Sequence, residues 1–187
     1  MPVKSESGFE NDNMVVVYHG STVAFDEIDV TRGKPYKDFG RGFYVTRVWS
    51  HAESLAVRNR EFEIRRFGRS CSAYIHTFLL DLDRAMKELK FFEFKKADVE
   101  WMRFVLANRD TRARAHDFQM IVGPTANDDT SAVLKAYFGG FYGDVGSTHA
   151  IETALRFIEG DNLPPQIYFA DNRVRDFLRR DGEVTEV

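Results

Sequence analysis

Two short segments of the chain combine side chains that could bind a ligand with glycines that let a ligand approach the backbone. Residues 18–21 (YHGS) place the imidazole of His19 beside Gly20, at the end of a β-branched run where both would be accessible. Residues 38–46 (DFGRGFYVT) carry glycines before an aromatic strand, in which Tyr44 offers a ring face and a hydroxyl. Taken singly, the histidine is also explained by a hydrogen bond to a nearby carbonyl, and the second segment by a turn that leads into a core strand.

The standard sequence motifs of nucleophilic and phosphate chemistry are missing from the chain. It has neither a G-x-S-x-G nucleophile elbow nor a P-loop, and its glycine-rich loop at 139–146 does not follow a strand as a dinucleotide-binding turn requires. The single cysteine, Cys71, excludes an internal disulfide and a zinc site built from several cysteines. His149 and Glu152 have the spacing of one helical turn, but no second pair accompanies them, so we expect no metal site.

Hydrophobic patterning indicates the elements that must position the two segments. Strands are predicted at 14–18, 43–46, 73–80, 118–122 and 166–170. Helices are predicted from 50 to near 68, from 98 past 105, and over 128–138, 147–159 and 171–179, with Ser50 and Glu53 as a capping box for the first. Because strands and helices are mixed without a regular β-α-β order, the pattern favours an α+β fold over a doubly wound sheet.

The composition is typical of a globular protein with one domain. The chain has 187 residues, of which 43% are hydrophobic, so it can bury a core without disulfides. Its net charge of −3 excludes a globally basic protein that wraps nucleic acid, although local basic patches stay compatible with it. Residues 1–13 are polar and lack the apolar stretch of a signal peptide. We therefore expect a disordered lead at 1–13, one domain over 14–187, and a cytoplasmic protein without membrane association.

Together the two segments resemble the ADP-ribosyltransferase superfamily. The order YHGS, DFGRGFYVT and then a helix is similar to the diphtheria-toxin and poly(ADP-ribose) polymerase branch, whose triad is His, Tyr and Glu. A bacterial family of unassigned function within this superfamily is more similar still. The chain shares with it the second segment, the helix residues Trp101, Phe104, Asn108 and Arg109, the strand end 117–126, and the late strand residues Gln166, Ile167 and Phe169. The resemblance implies an α+β domain with a split pair of small β-sheets and NAD in the cleft between them.

The resemblance also implies roles for individual residues. His19 would hydrogen-bond a ribose hydroxyl of NAD, the Gly20 backbone would pair with the nicotinamide carboxamide, and Tyr44 would stack on the nicotinamide ring. Ser50 or His51, at the start of the helix, would reach the same carboxamide. The implied NAD-binding residues are His19, Gly20, Ser21, Phe39, Gly42, Tyr44, Ser50, His51, Arg109 and Asp117, with His19, Tyr44 and Gln166 at the catalytic positions.

Gln166 departs from the pattern of the branch, which has Glu at this position. A carboxylate there binds a ribose hydroxyl and stabilises the oxocarbenium-like transition state, whereas glutamine forms the hydrogen bonds without supplying charge. By comparison with deleted oxyanion donors, the missing charge would cost about 2–4 kcal/mol. Either another acid such as Asp117 lines the site, or the acceptor needs little activation. A gain of NAD hydrolysis in Gln166→Glu would show that the charge was missing.

The predicted function is that of a mono-ADP-ribosyltransferase, which breaks the nicotinamide–ribose bond of NAD and passes ADP-ribose to a protein or nucleic-acid acceptor. The resemblance suggests the toxin of a bacterial toxin–antitoxin pair, neutralised by a small protein partner. Two alternatives stay open. One is a non-catalytic module that binds NAD or ADP-ribose, which Gln166 suggests, and the other is an enzyme related to RNA 2′-phosphotransferases, although the sequence shows no dedicated basic surface for RNA. Arg109, Arg112 and Arg114 would reach the pyrophosphate of the dinucleotide.

Overall fold

The computed structural model describes residues 14–126, 128–158 and 163–187, and these residues form strands and helices in mixed order. The strands are β1 (Met14–Ser21), β2 (Phe43–Thr46), β3 (Tyr74–Asp81), β4 (Phe91–Glu93), β5 (Met120–Pro124), β6 (Pro165–Phe169), β7 (Leu178–Arg180) and β8 (Thr185–Glu186). The α-helices are α1 (Trp49–Phe67), α2 (Leu82–Glu88), α3 (Val99–Arg109), α4 (Asp128–Phe138) and α5 (Thr148–Leu155). The predicted α+β class is confirmed. The predicted lead at 1–13 lies outside the described residues.

The strands form one eight-stranded sheet. Its two halves are joined between β1 and β2, where only one residue pair is formed. The strand order is β4-β5-β6-β2-β1-β3-β7, and β8 also pairs with β3. All pairs are antiparallel except β4 with β5. Strand β1 pairs with β3 along its whole length but with β2 only at Tyr18↔Thr46. The backbone of β1 beyond Tyr18 therefore has no strand partner on its β2 side.

Alternate residues of the central strands point into two separate hydrophobic cores. Ile167 and Phe169 of β6 belong to the first core, whereas Tyr168 between them belongs to the second. The first core gathers side chains of β1, β2 and β3, and the second packs α3, α4 and α5 against β5 and β6. Because both faces of this half of the sheet are buried, its strands are nearly continuous apolar runs in the sequence.

Helix α1 starts without the predicted side-chain cap. Its N-cap residue is Val48, which makes no side-chain capping hydrogen bond. The amide of Val48 instead donates to the hydroxyl of Thr46, 3.2 Å away, at the end of β2. Ser50 lies inside the first turn and is exposed, so the predicted capping box is wrong. The end of α1 agrees with the prediction, because Gly68 adopts a left-handed φ of 64° that stops the helix.

The predicted helix over 171–179 is wrong. A 3-10 helix, Asn172–Asp176, begins at the side chain of Asp171, which accepts a hydrogen bond from the amide of Arg173 at 3.0 Å. The chain then enters β7, which pairs with the edge of β3. An unpaired strand edge offers a full set of backbone hydrogen bonds, and these outweigh the helical tendency of the segment. The predicted end of the helix at 147–159 lies outside the described residues, and no described helix is long and apolar enough to cross a bilayer.

Candidate functional site

A cavity of about 980 Å³ opens where β1 and β2 separate. Its walls are the ends of β1, β2 and β6, the first three turns of α1, and the loop that joins β1 to β2. The volume lies at the upper end of the range in which proteins bind small molecules and cofactors. The gap in pairing between β1 and β2 therefore creates a site large enough for a nucleotide-sized ligand.

His19 lies near the end of β1 and presents a hydrogen-bond acceptor to this cavity. Its Nδ1 donates a hydrogen bond of 2.7 Å to the backbone carbonyl oxygen of Tyr44. Because a carbonyl only accepts, the ring proton is on Nδ1 and Nε2 keeps its lone pair. Burial lowers the pKa of His19 to about 4, so the ring is neutral near pH 7. The ring also stacks on Phe43, with centroids 4.4 Å apart, which fixes its plane.

Tyr44 lines the cavity from β2, but its hydroxyl is committed to the loop before it. The hydroxyl donates to the carbonyl oxygen of Gly40 at 2.6 Å and accepts from the amide of Phe39 at 3.1 Å. Burial, with the nearby charge of Asp38, raises the pKa of Tyr44 well above its usual value. The hydroxyl therefore stays protonated and holds the loop in place. The part of Tyr44 that a ligand can use is its ring.

One wall of the cavity contains a buried cluster of Asp38, Arg109 and Gln166. Asp38 is 6% exposed and Gln166 is 7% exposed. One carboxylate oxygen of Asp38 accepts two hydrogen bonds from Arg109, through Nε at 2.9 Å and Nη2 at 2.7 Å. The other oxygen accepts from the amide of Ala126 and from Nε2 of Gln166, both at 3.0 Å. The carboxylate is thus fully hydrogen-bonded, and Arg109 balances its charge.

This cluster determines which way the side-chain amide of Gln166 points. Its Nε2 donates to Asp38 and to the carbonyl oxygen of Pro124 at 3.3 Å, and both of these groups only accept. The NH₂ group must face them, so the opposite orientation of the amide is excluded. Its Oε1 has no hydrogen-bond partner among the described residues and is not sealed from solvent. Gln166 therefore offers the cavity a neutral acceptor in a fixed orientation.

The start of α1 reaches the cavity because Gly20 allows a very close approach. A Cβ atom at Gly20 would lie 2.1 Å from the carbonyl oxygen of Ala52, so only glycine permits this contact. The approach brings His51 to the cavity wall, and burial, followed by the charge of Arg58, lowers the pKa of His51. Nδ1 of His51 and the hydroxyl of Thr125, which also lines the cavity, are buried without a partner among the described residues. Unsatisfied buried polar atoms cost about 1–3 kcal/mol each, and a ligand could satisfy these.

The structure brings most of the predicted site residues to this one cavity. Its lining includes His19, Gly20, Ser21, Gly42, Tyr44, His51, Arg109 and Gln166. The guanidinium of Arg109 is bound to Asp38, however, so it is not free for the predicted contact with a pyrophosphate.

Three predicted NAD-binding residues lie elsewhere. Phe39 is fully buried in the second core, where it packs on Phe94 and Tyr168. Ser50 is exposed in the first turn of α1 and does not line the cavity. Asp117 is an exposed surface carboxylate that pairs with Lys90, so it is not the additional acid of the site.

Three carboxylates line the cavity, Glu27, Asp29 and Asp38, and the one that binds Gln166 is Asp38, for which no role was predicted. It belongs to the segment 38–46, but an Asp before a glycine turn is so common that its type alone indicates nothing more. The partner that gives it a role, Gln166, is far away in sequence. Thr125 was missed for the same reason, because it follows a strand end without any local signal.

The comparisons with known proteins give a family but no characterised relative. A family model described as a protein of unknown function (DUF3990) matches residues 15–179. This range includes every residue that lines the cavity. No curated protein and no solved structure gives a significant match to the chain.

Proposed function

The chain belongs to the DUF3990 family, and on the basis of its cavity we propose that it is a mono-ADP-ribosyltransferase that uses NAD as donor substrate. One observation carries the proposal. His19, Tyr44 and Gln166 come from three strands that are adjacent in the sheet, β1, β2 and β6, and all three line the same cavity. These are the three positions that the resemblance to ADP-ribosyltransferases makes catalytic. His19 contacts Tyr44, which is 25 positions away in sequence, and Gln166 contacts Asp38, which is 128 positions away. These residues meet only because the chain is folded.

The polar atoms of the cavity suit the sugar of a nicotinamide nucleotide. Nε2 of His19 and Oε1 of Gln166 are neutral acceptors, and ribose hydroxyls are donors that need such acceptors. The ring of Tyr44 offers an apolar face of the kind on which a flat heterocycle stacks. Beyond Tyr18 the backbone of β1 is unpaired toward β2, which gives a carboxamide an edge to bind.

The proposed reaction is a substitution at the anomeric carbon of the nicotinamide-side ribose. The bond to nicotinamide breaks, its electron pair neutralises the ring nitrogen, and the acceptor bonds to the same carbon and releases a proton to water. The chain contributes orientation and fixed dipoles rather than a covalent intermediate. Gln166 places a partial negative charge beside the sugar, and Asp38 holds it there. Because Arg109 neutralises Asp38, this stabilisation is weaker than that of a free carboxylate, so we expect slow turnover.

The experiment is a measurement of nicotinamide release from NAD by the purified full chain, together with transfer of labelled ADP-ribose to candidate acceptors. The Tyr44→Ala variant should lose both activities. Tyr74→Ala is the matched control, because it removes a strand tyrosine that does not line the cavity. Equal activity in the Tyr44→Ala variant would show that the cavity is not where the reaction takes place. Absence of both NAD binding and turnover in the wild type would end the proposal.

A non-catalytic NAD or ADP-ribose module is the second candidate, and the neutral character of the Asp38–Arg109–Gln166 cluster favours it. It predicts saturable binding of NAD, visible as a rise in melting temperature, without any release of nicotinamide. For the transferase, we further propose a toxin that modifies a macromolecule in its own host. Induced expression should then stop growth, and Tyr44→Ala should relieve the arrest.

A further inference from the structure

Helix α3 contains a buried tryptophan that reaches the candidate site without lining the cavity. Trp101 is fully buried in the second core, and its indole Nε1 donates a hydrogen bond of 3.1 Å to the carbonyl oxygen of Pro124. Nε2 of Gln166 donates to the same oxygen at 3.3 Å. A carbonyl oxygen has two lone pairs, so it can accept from both groups at once. Trp101 is therefore connected to Gln166 through one shared oxygen atom.

The same helix is connected to Gln166 by a second route. Arg109 lies eight residues after Trp101 on α3, which is about 12 Å along the helix axis. Its guanidinium binds the carboxylate of Asp38. That carboxylate accepts the other N–H of the Gln166 amide, with Nε2 and Oδ2 3.0 Å apart. Both acceptors of the amide are therefore held by donors from a single helix.

The carbonyl of Pro124 needs these side chains because the sheet offers it no donor from the facing residue. Pro124 is buried in the last residue pair of β5 with β6, opposite Pro165. Proline has no backbone N–H, so Pro165 cannot donate to this oxygen. Nearly all buried carbonyl groups in proteins are hydrogen-bonded, and here the donors are the indole of Trp101 and the amide of Gln166. The position of the oxygen thus depends on a side chain of α3.

We propose that Trp101 is a positioning residue for Gln166, and that α3 thereby determines which atom of Gln166 is left for the ligand. Because each N–H of the amide has an acceptor, Oε1 is the free atom, and the ligand must bring a donor such as a hydroxyl to it. Without the indole N–H, the Pro124 carbonyl loses a donor that fixes it, and the amide of Gln166 can rotate. The identity of the ligand rests on the proposed function, whereas the hydrogen bonds do not.

NMR of the full chain without ligand tests the hydrogen bonds directly. The side-chain NH₂ signals of Gln166, identified by their loss in Gln166→Met, should exchange slowly with water in the wild type. They should exchange roughly tenfold faster in Trp101→Phe, as expected for the loss of one hydrogen bond. A nuclear Overhauser effect should connect them to the indole proton of Trp101, one of two tryptophans in the chain.

Val105→Ala is the matched control for these measurements. Val105 is a fully buried residue of the same helix and the same core, so its truncation removes packing but no side-chain hydrogen bond. The two variants are compared under conditions that give them the same unfolding free energy. The Gln166 NH₂ group should then exchange more slowly in Val105→Ala than in Trp101→Phe.

Nicotinamide release from NAD is the second readout. Trp101→Phe should lower kcat roughly tenfold and leave KM nearly unchanged, because His19 and Tyr44 still bind the substrate while the acceptor beside the sugar loses its orientation. Val105→Ala should change neither constant. A change in exchange without a change in kcat would confirm the hydrogen bond but overturn its role in the reaction.

Equal exchange of the NH₂ group in Trp101→Phe and Val105→Ala would overturn the positioning role, and so would fast exchange in the wild type. If Trp101→Phe does not fold, the Overhauser effect in the wild type decides, and its absence contradicts the proposal. A wild type that neither binds nor cleaves NAD ends the proposed function, while the exchange data still test the hydrogen bonds. If NAD is cleaved and Trp101→Phe keeps wild-type exchange and kcat, only the positioning role fails.

Discussion

Replacing Gln166 with Glu should destabilise the protein at neutral pH. A carboxylate at 166 would put an oxygen about where Nε2 now lies, 3.0 Å from Oδ2 of Asp38. Two like charges at this distance repel each other by about 5 kcal/mol in an effective dielectric of about 20. The carboxyl at 166 avoids this by staying protonated, so its pKa rises above the usual value of about 4.3. We therefore expect no gain of NAD hydrolysis from this change near pH 7.

The sign of the pH dependence follows from this raised pKa. Below about pH 4.3 the new carboxyl is protonated in the folded and unfolded states alike, so its ionisation adds no penalty, and the variant lacks only the second hydrogen bond that the NH₂ group of Gln166 donates. Above that pH the penalty grows by about 1.4 kcal/mol per unit until the folded-state pKa is reached. With part of the repulsion offset by Arg109, we expect about 3 kcal/mol at pH 7.5, or a melting temperature lower by roughly 6–12 °C.

Thermal melts of wild type and Gln166→Glu at pH 4.5 and 7.5 measure this difference. Gln166→Met is the control, because it removes the same hydrogen bonds without adding a charge and should show a penalty that does not change with pH. The double variant Asp38→Asn/Gln166→Glu exchanges the amide and the carboxylate and should recover part of the stability at pH 7.5. An equal penalty at both pH values, or a fully ionised Glu at 166 that raises nicotinamide release, would refute the reasoning.

Three further predictions concern stability. The folded-state pKa of His19 is lowered to about 4, so the protein should lose about 3 kcal/mol of unfolding free energy as the pH falls from 6.5 to 4. The His19→Asn variant should not show this loss when urea titrations at pH 7 and pH 4.5 are compared. Gly20→Ala should cost at least about 2 kcal/mol, since its Cβ would meet the carbonyl oxygen of Ala52 at 2.1 Å, whereas Ser21→Ala should cost little in the same denaturation assay. Asp98→Ala should cost about 1 kcal/mol, because the Asp98 side chain caps α3 by accepting from the amide of Trp101 at 3.0 Å, and a denaturation midpoint that does not move would contradict this.

The elements of the fold were predictable where their signals are local. Asp98 begins α3 and Gly68 ends α1 as predicted, because a cap needs only the few residues around it. The start of α1 and the segment 171–179 were predicted wrongly for the opposite reason. Thr46 of β2 satisfies the amide of Val48, and the edge of β3 draws residues 178–180 into a strand. Neither partner can be recognised from the sequence of the segment itself.

The candidate site shows the same division between local and distant information. His19 and Tyr44 were found because each belongs to a short segment whose glycines and aromatic residues already suggest a ligand. Asp38 lies in one of these segments too, but its importance comes from Gln166 and Arg109, 128 and 71 positions away. Hydrogen bonds of this kind depend on the register of β2 with β6 and on the position of α3, which only the folded chain specifies.

The distribution of charge in the cavity explains why glutamine suits position 166. Asp38 and Arg109 already form a balanced ion pair behind it, so an added carboxylate would be the unpaired charge in a buried cluster. The amide instead satisfies the remaining oxygen of Asp38 and still offers an acceptor to the cavity.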